Sequence, residues 1–484
     1  MSRTKLFIHN FLVYGLGSII SKIIPIIMLP IITSIMTDSK YYGVNDMVVL
    51  VVNFASAIAM MGMYDAMFRM FFEKEDDDYK KSICSSALFF VILSSLVICI
   101  VMYIFKNTIL KLVIDDIGYN LLFFIIIFNT FLSGIQNIVS APTRMENKRK
   151  IFLITNTIAP IFSYGISIPL LLNGQYVYAL PLAAVTSSVI MVGVFYFINR
   201  KWFSIKNISF NHIKTLAKIG IPLMPTFLMY WVCSSFDRVM IKSMLNLNEL
   251  GIYSVSSRIA QISQFIYTAF AMGWQYFAFS TMNDNDQKKM TSNIANYLLG
   301  ISIVATIIVT TFSKIIFGIL AKGDYSNGFV ILPYLFVAPL LLMIFQIIGN
   351  QFIVVKKTYP VPIILTGAVI VNIVCNYFLI PIIGIEGASI ATMLGYIVAV
   401  IVSYVVTTRK KLLHNEKRIC LSLFIFIIYL IIWRTMAINN LILSIMISII
   451  FYFILYRVYK QEIMLLVNRL KNKNSTIVGE EYEI

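Results

Sequence analysis

Hydrophobic residues in this chain run in long blocks separated by short polar links, with little of the alternation that marks strands. Fourteen blocks can be drawn, at roughly 6–36, 42–72, 83–105, 119–142, 151–172, 176–198, 216–245, 250–281, 294–312, 329–355, 359–380, 387–406, 419–436 and 441–459. About twenty apolar residues, rising about 1.5 Å each as a helix, cross a hydrocarbon layer about 30 Å thick. Each block is therefore predicted as a membrane-spanning helix. Several are longer than this, which predicts tilt or extension beyond the bilayer. Pro25, Pro30, Pro222, Pro225, Pro333 and Pro339 fall within the first, seventh and tenth blocks. They predict kinks, because proline removes a helical hydrogen bond and crowds the preceding turn.

The pattern also repeats. Ile32–Gly43 and Ile241–Gly251 share the order helix end, polar link, glycine, at offsets of 209 residues for the serines (Ser34, Ser243) and 208 for the glycines. Gly174–Arg200 and Gly384–Arg409 match in the same way, and Gln136 and Gln346 are 210 apart. A near-constant offset predicts that helices 1–6 and 7–12 are duplicates. Six spans is an even number, so both copies insert in one orientation, related by an axis along the membrane normal with a substrate path between them. The expected fold is all-α and polytopic, in two parallel six-helix lobes, 1–200 and 201–411. Helices 13 and 14 (412–460) are expected as an add-on outside the pair, followed by a polar tail, 461–484.

Composition agrees. Of 484 residues, 59% are hydrophobic and 13% charged, against about 25% charged in soluble domains. The net charge of +17 does not point to nucleic acid, because the basic residues sit in short links between apolar blocks. With the N-terminus inside, 28 lysines and arginines fall on the inner side and 7 on the outer (Lys40, Lys106, Lys111, Lys242, Lys314, Lys322, Arg434). That bias places both termini in the cytoplasm. The N-terminal block is too long for a cleavable signal and lacks a small-residue cleavage site.

Metal and redox chemistry find no support. Cys84, Cys99, Cys233, Cys375 and Cys420 have no paired spacing, and His9, His212 and His414 lie far apart. The run Glu73–Asp78 is read as a solvated loop, and Asn283–Asp286 contains an Asp-x-Asp with no domain to support sugar-nucleotide chemistry. No catalytic residue and no cofactor are expected.

Ionisable residues at membrane depth are costly and mark function by default. Lys22, Arg69, Arg238 and Arg258 are the basic candidates, set against Asp65 and Asp237. Lys22 is the deepest. Asp65 and Arg69 stand four apart on one helical face and can pair. Asp237 and Arg238 are neighbours, about 100° apart around a helix, so they face different surroundings. The counterparts of Lys22, Asp65 and Arg258 at an offset of 209 are Trp231, Trp274 and Val49. The architecture is duplicated and its charge is not. Tyr64, Tyr230, Trp231 and Trp274 are candidates for stacking on sugars, with core packing the competing reading.

The segments Gly62–Arg69 (GMYDAMFR), Gly220–Pro222 (G-x-P), Asp237–Lys242 (DRVMIK), Gly251–Val255 (GIYSV) and Asn372–Thr392 carry a resemblance. Together with Pro30 and Tyr41–Gly43, they resemble the lipid-linked oligosaccharide (O-antigen type) flippases of polysaccharide biosynthesis. These belong to the multidrug/oligosaccharidyl-lipid/polysaccharide exporter superfamily. The resemblance covers essentially the whole chain, and the fourteen spans are also similar to those of lipid II flippases. It implies a V-shaped pair of lobes in the bacterial cytoplasmic membrane. It also implies alternating-access movement of an undecaprenyl-diphosphate-linked glycan to the outer leaflet. Polysaccharide polymerase or assembly proteins are the implied partners, with no nucleic acid. Coupling to protons, sodium or the membrane potential stays open. The similarity further implies substrate-binding roles for Lys22, Arg69, Arg238 and Arg258, with Asp65 and Asp237 as an ion-coupling or structural pair. Helices 13 and 14 would form a groove for the prenyl tail. A multidrug antiporter is the alternative within transport. A glycan polymerase or ligase is disfavoured by the absence of a large outer loop, and an inert scaffold would not need midspan charge.

The charge bias makes one direct prediction. A reporter active only outside the membrane, fused after Ile484, stays silent, whereas the same reporter inserted in the 106–118 link is active. Activity at the C-terminal fusion would overturn the topology and the repeat orientation together.

Overall fold

The computed structural model describes residues 23–281, 284–355, 357, 359–414 and 418–480, with 461–480 described by backbone alone. The described residues are mostly helical and contain no strand. In chain order the helices are α1 (Ile23–Ile35), α2 (Ser39–Met60), α3 (Met63–Phe71), α4 (Asp77–Ile104), α5 (Lys106–Ile114), α6 (Asn120–Met145), α7 (Arg149–Leu172), α8 (Tyr176–Asn199) and α9 (Phe210–Gly220). They continue as α10 (Met224–Met244), α11 (Leu247–Ala260), α12 (Ile262–Ser280), α13 (Gln287–Leu320), α14 (Leu332–Val354), α15 (Pro360–Ile383), α16 (Ile385–Arg409), α17 (Arg418–Ile432) and α18 (Leu441–Glu480). Eleven helices among the described residues are long and apolar enough to cross a membrane. Eleven of the fourteen predicted blocks contain one of these helices, and the first, seventh and eighth hold α1, α10, and α11 with α12, which do not meet that standard among the described residues.

The breaks are only partly where proline predicted them. The seventh block does change to a 3-10 turn at Ile221–Leu223, around Pro222. The tenth runs through Pro339 without interruption, and Pro333 occupies its first turn, where the missing N–H has no helical partner in any case. The second block divides instead at Met61 and Gly62, both with positive φ. The eighth divides at Gln261. The acidic run is also more than a solvated loop. Asp76 accepts from the Asp78 and Tyr79 amides and so caps α4, and Asp77 and Asp78 fill its first turn, where negative charge meets the positive end of the helix dipole.

The chain separates into two compact units. The first comprises residues to Ile259 with Phe317–Gly328 and Ile373–Ala388, and the second the remainder. This packing boundary falls within the eighth block.

In the first unit, α2 is held at both ends by backbone-to-backbone approach. A Cβ on Gly43 would lie 2.1 Å from the Leu247 carbonyl oxygen, and one on Gly251 would lie 1.9 Å from that of Ser39. Gly43 and Gly251 are the repeat-related glycines, as are the partners Ser39 and Leu247 at the same 208-residue offset. The two copies therefore meet at equivalent positions. Their caps match too. Asp38 accepts from the Lys40 amide at 2.9 Å, and Asn246 accepts from the Glu249 amide at 2.9 Å. Asn248 then donates to Asp38 across the contact at 3.0 Å. At the other end of α2, a Cβ on Gly62 would lie 2.3 Å from the Gly220 carbonyl oxygen. Phe54 and Trp231 pack between these contacts, with ring centroids 4.6 Å apart. Around α2, helices α3, α4, α6 and α8 share a core that includes Met67, Ile83, Val91, Ile138 and Phe195.

The second unit is centred on α14, whose apolar window is 83% buried. A helix that is hydrophobic on every side needs apolar neighbours on every side, and this is such a helix. Helices α17 and α18 belong to the same core. Phe426, Tyr429, Trp433, Phe451 and Leu455 cluster with Leu299, Ile303 and Ile307 of α13. Tyr459 donates to the Asn296 carbonyl at 3.2 Å, with its ring against Gly300. These contacts pack α17 and α18 directly on α13.

The glycine contact carries a stability prediction. Gly43→Ala or Gly251→Ala must push two backbones apart, so thermal unfolding in detergent should show a loss of about 1–3 kcal/mol or more. Gly165→Ala, where a Cβ meets nothing within 4 Å, is the control and should be neutral or slightly stabilising. Equal behaviour of the three variants would refute the close-approach account.

Candidate functional site

Two polar features interrupt the apolar interior of the first unit. The first lies beside the glycine contact, where α2, α7, α10 and α11 each bring polar side chains. Arg238 Nε lies 2.9 Å from Asp46 Oδ2. Its neighbour Asp237 faces elsewhere and accepts the Tyr253 hydroxyl, so the two adjacent charges do turn to different partners. Arg258 lies over the Tyr42 ring, 5.2 Å from its centroid, with the Tyr164 hydroxyl in the same cluster. A guanidinium suits such a place because it is planar and presents several donors.

Asp46 is the residue the sequence count omits. Read as a third carboxylate within the spans, it stands one helical turn from Tyr42 and Gly43. With it, Arg238 is a paired cation and the basic excess at membrane depth shrinks. The missed signal was Asp46 itself, only four residues into the second block.

The second feature is a cavity of about 490 Å³ lined by α2, α3, α6, α7, α8 and α10. Its polar wall is built from Tyr64, Asp65, Gln136, Asn137, Arg144 and Asn156. Arg144 donates to the Tyr64 hydroxyl at 2.9 Å, and its guanidinium lies 5.8 Å from the Phe152 ring centroid. Asn137 and Asn156 spend an amide hydrogen on the Ser133 and Phe152 carbonyls, each at 2.9 Å. Their side-chain oxygens remain available as acceptors. The wall thus offers a fixed cation, a carboxylate and several neutral donors and acceptors. That set suits a polyhydroxylated or phosphorylated solute better than an apolar one.

The sequence candidates distribute unevenly over these features. Lys22 lies outside the described residues, as does the Tyr230 side chain. Asp65 lines the cavity, while Arg69 is exposed one turn further on, and no ion pair joins them among the described residues. Arg238 and Arg258 belong to the α2–α10–α11 cluster. Of the aromatic candidates Tyr64 lines the cavity, Trp231 packs on Phe54, and Trp274 is buried against Phe270 in the second unit. In the sequence Arg144 falls among the 28 inner-side basic residues, just past the fourth block. Its position within α6, on the helical face of Gln136 and Ser140, is what brings it to the cavity. Just beyond it, Glu146 binds Lys148 at 2.6 Å and also Lys201. Burial alone would raise its pKa, but these two ammoniums and the Trp202 indole hold the carboxyl below the usual range. The end of α6 that carries Arg144 is thereby fastened to the links at both ends of the α7–α8 hairpin.

The Asp46–Arg238 pair should behave as a tie. Asp46→Ala leaves a guanidinium buried without its carboxylate and is expected to cost about 3–5 kcal/mol. Removing both partners should cost much less than the sum of the single changes, read as a non-additive shift in thermal unfolding. Additive losses would mean that the pair does not act as a unit.

The polysaccharide biosynthesis protein family model matches residues 31–315. No curated protein matches the chain. Among solved structures, the lipid II flippase MurJ in an inward closed conformation superposes with a TM-score of 0.67 at 17% identity, over 93% of this chain and 100% of that one. An inward-facing multidrug resistance MATE family transporter of the MOP superfamily gives 0.60 at 15% identity, over 81% and 97%. The Vibrio cholerae MATE transporter VcmN in its bent form gives 0.52 at 14% identity, over 84% and 97%. At these identities the likeness is one of fold, the all-α architecture of MOP-superfamily transporters. On the family match, which spans more than half of its length, the chain belongs to the polysaccharide biosynthesis protein family.

Proposed function

We propose that this protein is a transporter that moves an undecaprenyl-diphosphate-linked oligosaccharide from the inner to the outer leaflet of the bacterial cytoplasmic membrane by alternating access. The observation that carries the reading is the polar cavity of the first unit, with Arg144 held on Tyr64 among side-chain amides. Sugars are met by many neutral donors and acceptors, and a diphosphate by cations in a medium of low dielectric, where attraction is stronger than in water. The family match and the flippase fold support the same cargo class. In this proposal Arg144 contacts the glycan head group. Lys22, Arg69 and Arg258 are further diphosphate contacts, and Arg238 serves mainly to tie α10 to α2. Asp237 is structural, through Tyr253. Both termini are cytoplasmic, polysaccharide assembly proteins are the partners, and no bond is made or broken.

One observation favours a second reading, exchange of a cationic drug for a proton or sodium. Asp65 is exposed and lines the cavity, where a carboxylate could hold a cation or a proton.

The two readings separate by mutation. With membrane levels checked by blot, Arg144→Ala should lower cell-surface glycan display by roughly tenfold or more, the value of a lost charged hydrogen bond. Arg144→Lys should retain part of it, and Asp65→Asn most of it. Loss of drug resistance in Asp65→Asn, with normal glycan display in Arg144→Ala, would overturn the flippase reading in favour of the antiporter.

A further inference from the structure

A second cavity, of about 300 Å³, lies within the second unit and has no part in the cargo path proposed above. It is formed near the C-terminal end of α13, the end of α17 and the start of α18. Its polar wall consists of Thr310, Thr311, Ser313, Lys314, Asn439 and Ser444. No carboxylate lines it among the described residues, and Lys314 makes no ion pair there. The lysine lies 5.8 Å from the Phe329 ring centroid, which steadies an ammonium without neutralising it. Ser444 is 2% exposed, yet its hydroxyl has no hydrogen-bond partner. A buried hydroxyl left unpaired costs about 1–3 kcal/mol, a cost that a bound acceptor would remove. α17 also ends in a π turn, Trp433–Ala437, and both of those residues line the cavity. π turns in helices are often found at functional sites.

The surroundings narrow the ligand. Lys314 stands six residues before the end of α13, about 9 Å along the helix axis. This end is opposite to the lysine-rich links that the charge bias places in the cytoplasm, so it sits near the outer interface. Ile315 and Leu441 line the cavity and remain 44% and 43% exposed. Met436 and Ile442 beside them are more exposed still. A cationic, hydroxyl-lined recess next to an apolar surface fits an anionic group carried on hydrocarbon.

We infer that this cavity is a binding site for a phosphate oxyanion, seated on Lys314 and the hydroxyls of Ser313 and Ser444, and supplied by the headgroup of an outer-leaflet phospholipid. Free phosphate shares the anion chemistry but would make no use of the flanking apolar surface.

The test uses the purified full-length chain in detergent. Phosphatidylglycerol, diacylglycerol of the same acyl chains and inorganic phosphate are each added, and bound lipid is counted by native mass spectrometry. Phosphatidylglycerol should be retained and diacylglycerol should not. Lys314→Gln should weaken retention roughly tenfold, as expected for a charged hydrogen bond, and Lys314→Arg should keep it. Inorganic phosphate that displaces the lipid at millimolar concentration would support the anion site with the free ion as its source, and failure to displace it would support the lipid. Retention unchanged in Lys314→Gln overturns the proposal. So does an equal loss in Lys106→Gln, which removes another outer-side lysine away from the cavity. Should Lys314→Gln fail to fold, Ser444→Ala takes its place, with a several-fold loss expected and unchanged retention overturning the site.

Discussion

The approach of α2 to the segment from Gly220 to Gly251 is the constraint on which the first unit depends. Four glycines (Gly43, Gly62, Gly220 and Gly251) and the repeat-related partners Ser39 and Leu247 bring main chains closer than any side chain allows. Small residues that let backbones touch are the usual means of association where the surroundings are as apolar as the helices themselves. Once α2 is seated in this way, Asp46 faces Arg238 and Tyr42 faces Arg258. The electrostatics are thus a consequence of the packing. An aspartate and an arginine placed a few ångströms further apart would each be an uncompensated buried charge.

Buried polarity in this unit has two distinct uses. Beside the glycine contact, two charges are held by polar partners: Arg238 by Asp46 and Asp237 by Tyr253. Such an arrangement holds helices in register. In the cavity, by contrast, Asp65 and Gln136 make no hydrogen bond or ion pair to another described side chain, and Arg144 is engaged only by neutral or aromatic groups. Unspent hydrogen-bonding capacity facing a void is what a ligand can use. This contrast supports substrate contact at Arg144 and structural duty at Arg238 in the proposed function.

Duplication shapes the fold more than the chemistry. The caps Asp38 and Asn246, and the glycines Gly43 and Gly251, occupy equivalent places in the two copies and meet one another. The glutamines do not behave alike. Gln136 faces the cavity of the first unit, while Gln346 donates to the Tyr267 hydroxyl at 2.8 Å in the second. An asymmetric cargo, charged at one end and sugar-bearing along the other, has no use for two identical sites.

The all-α class and the places of the apolar helices were legible in the sequence because each follows from local composition. An apolar block of sufficient length has one stable form in a bilayer, since every backbone group must be bonded within its own segment. The sequence also singled out Asp65, Asp237, Arg238 and Arg258, because charge within such a block is rare. It did not reveal what those charges touch. Asp46 near a block's start and Arg144 near a block's end carry no hydropathy signal of their roles, though one ties two helices and the other lines the cavity. The breaks at Gly62 and Gln261 escaped the proline rule, and α17 and α18 entered the core of the second unit although nothing in their sequence names a partner. Contacts of this kind join residues of similar character that lie up to about two hundred positions apart. Hydropathy and charge specify only which groups need a partner, and the packing of helices specifies which partner each one meets.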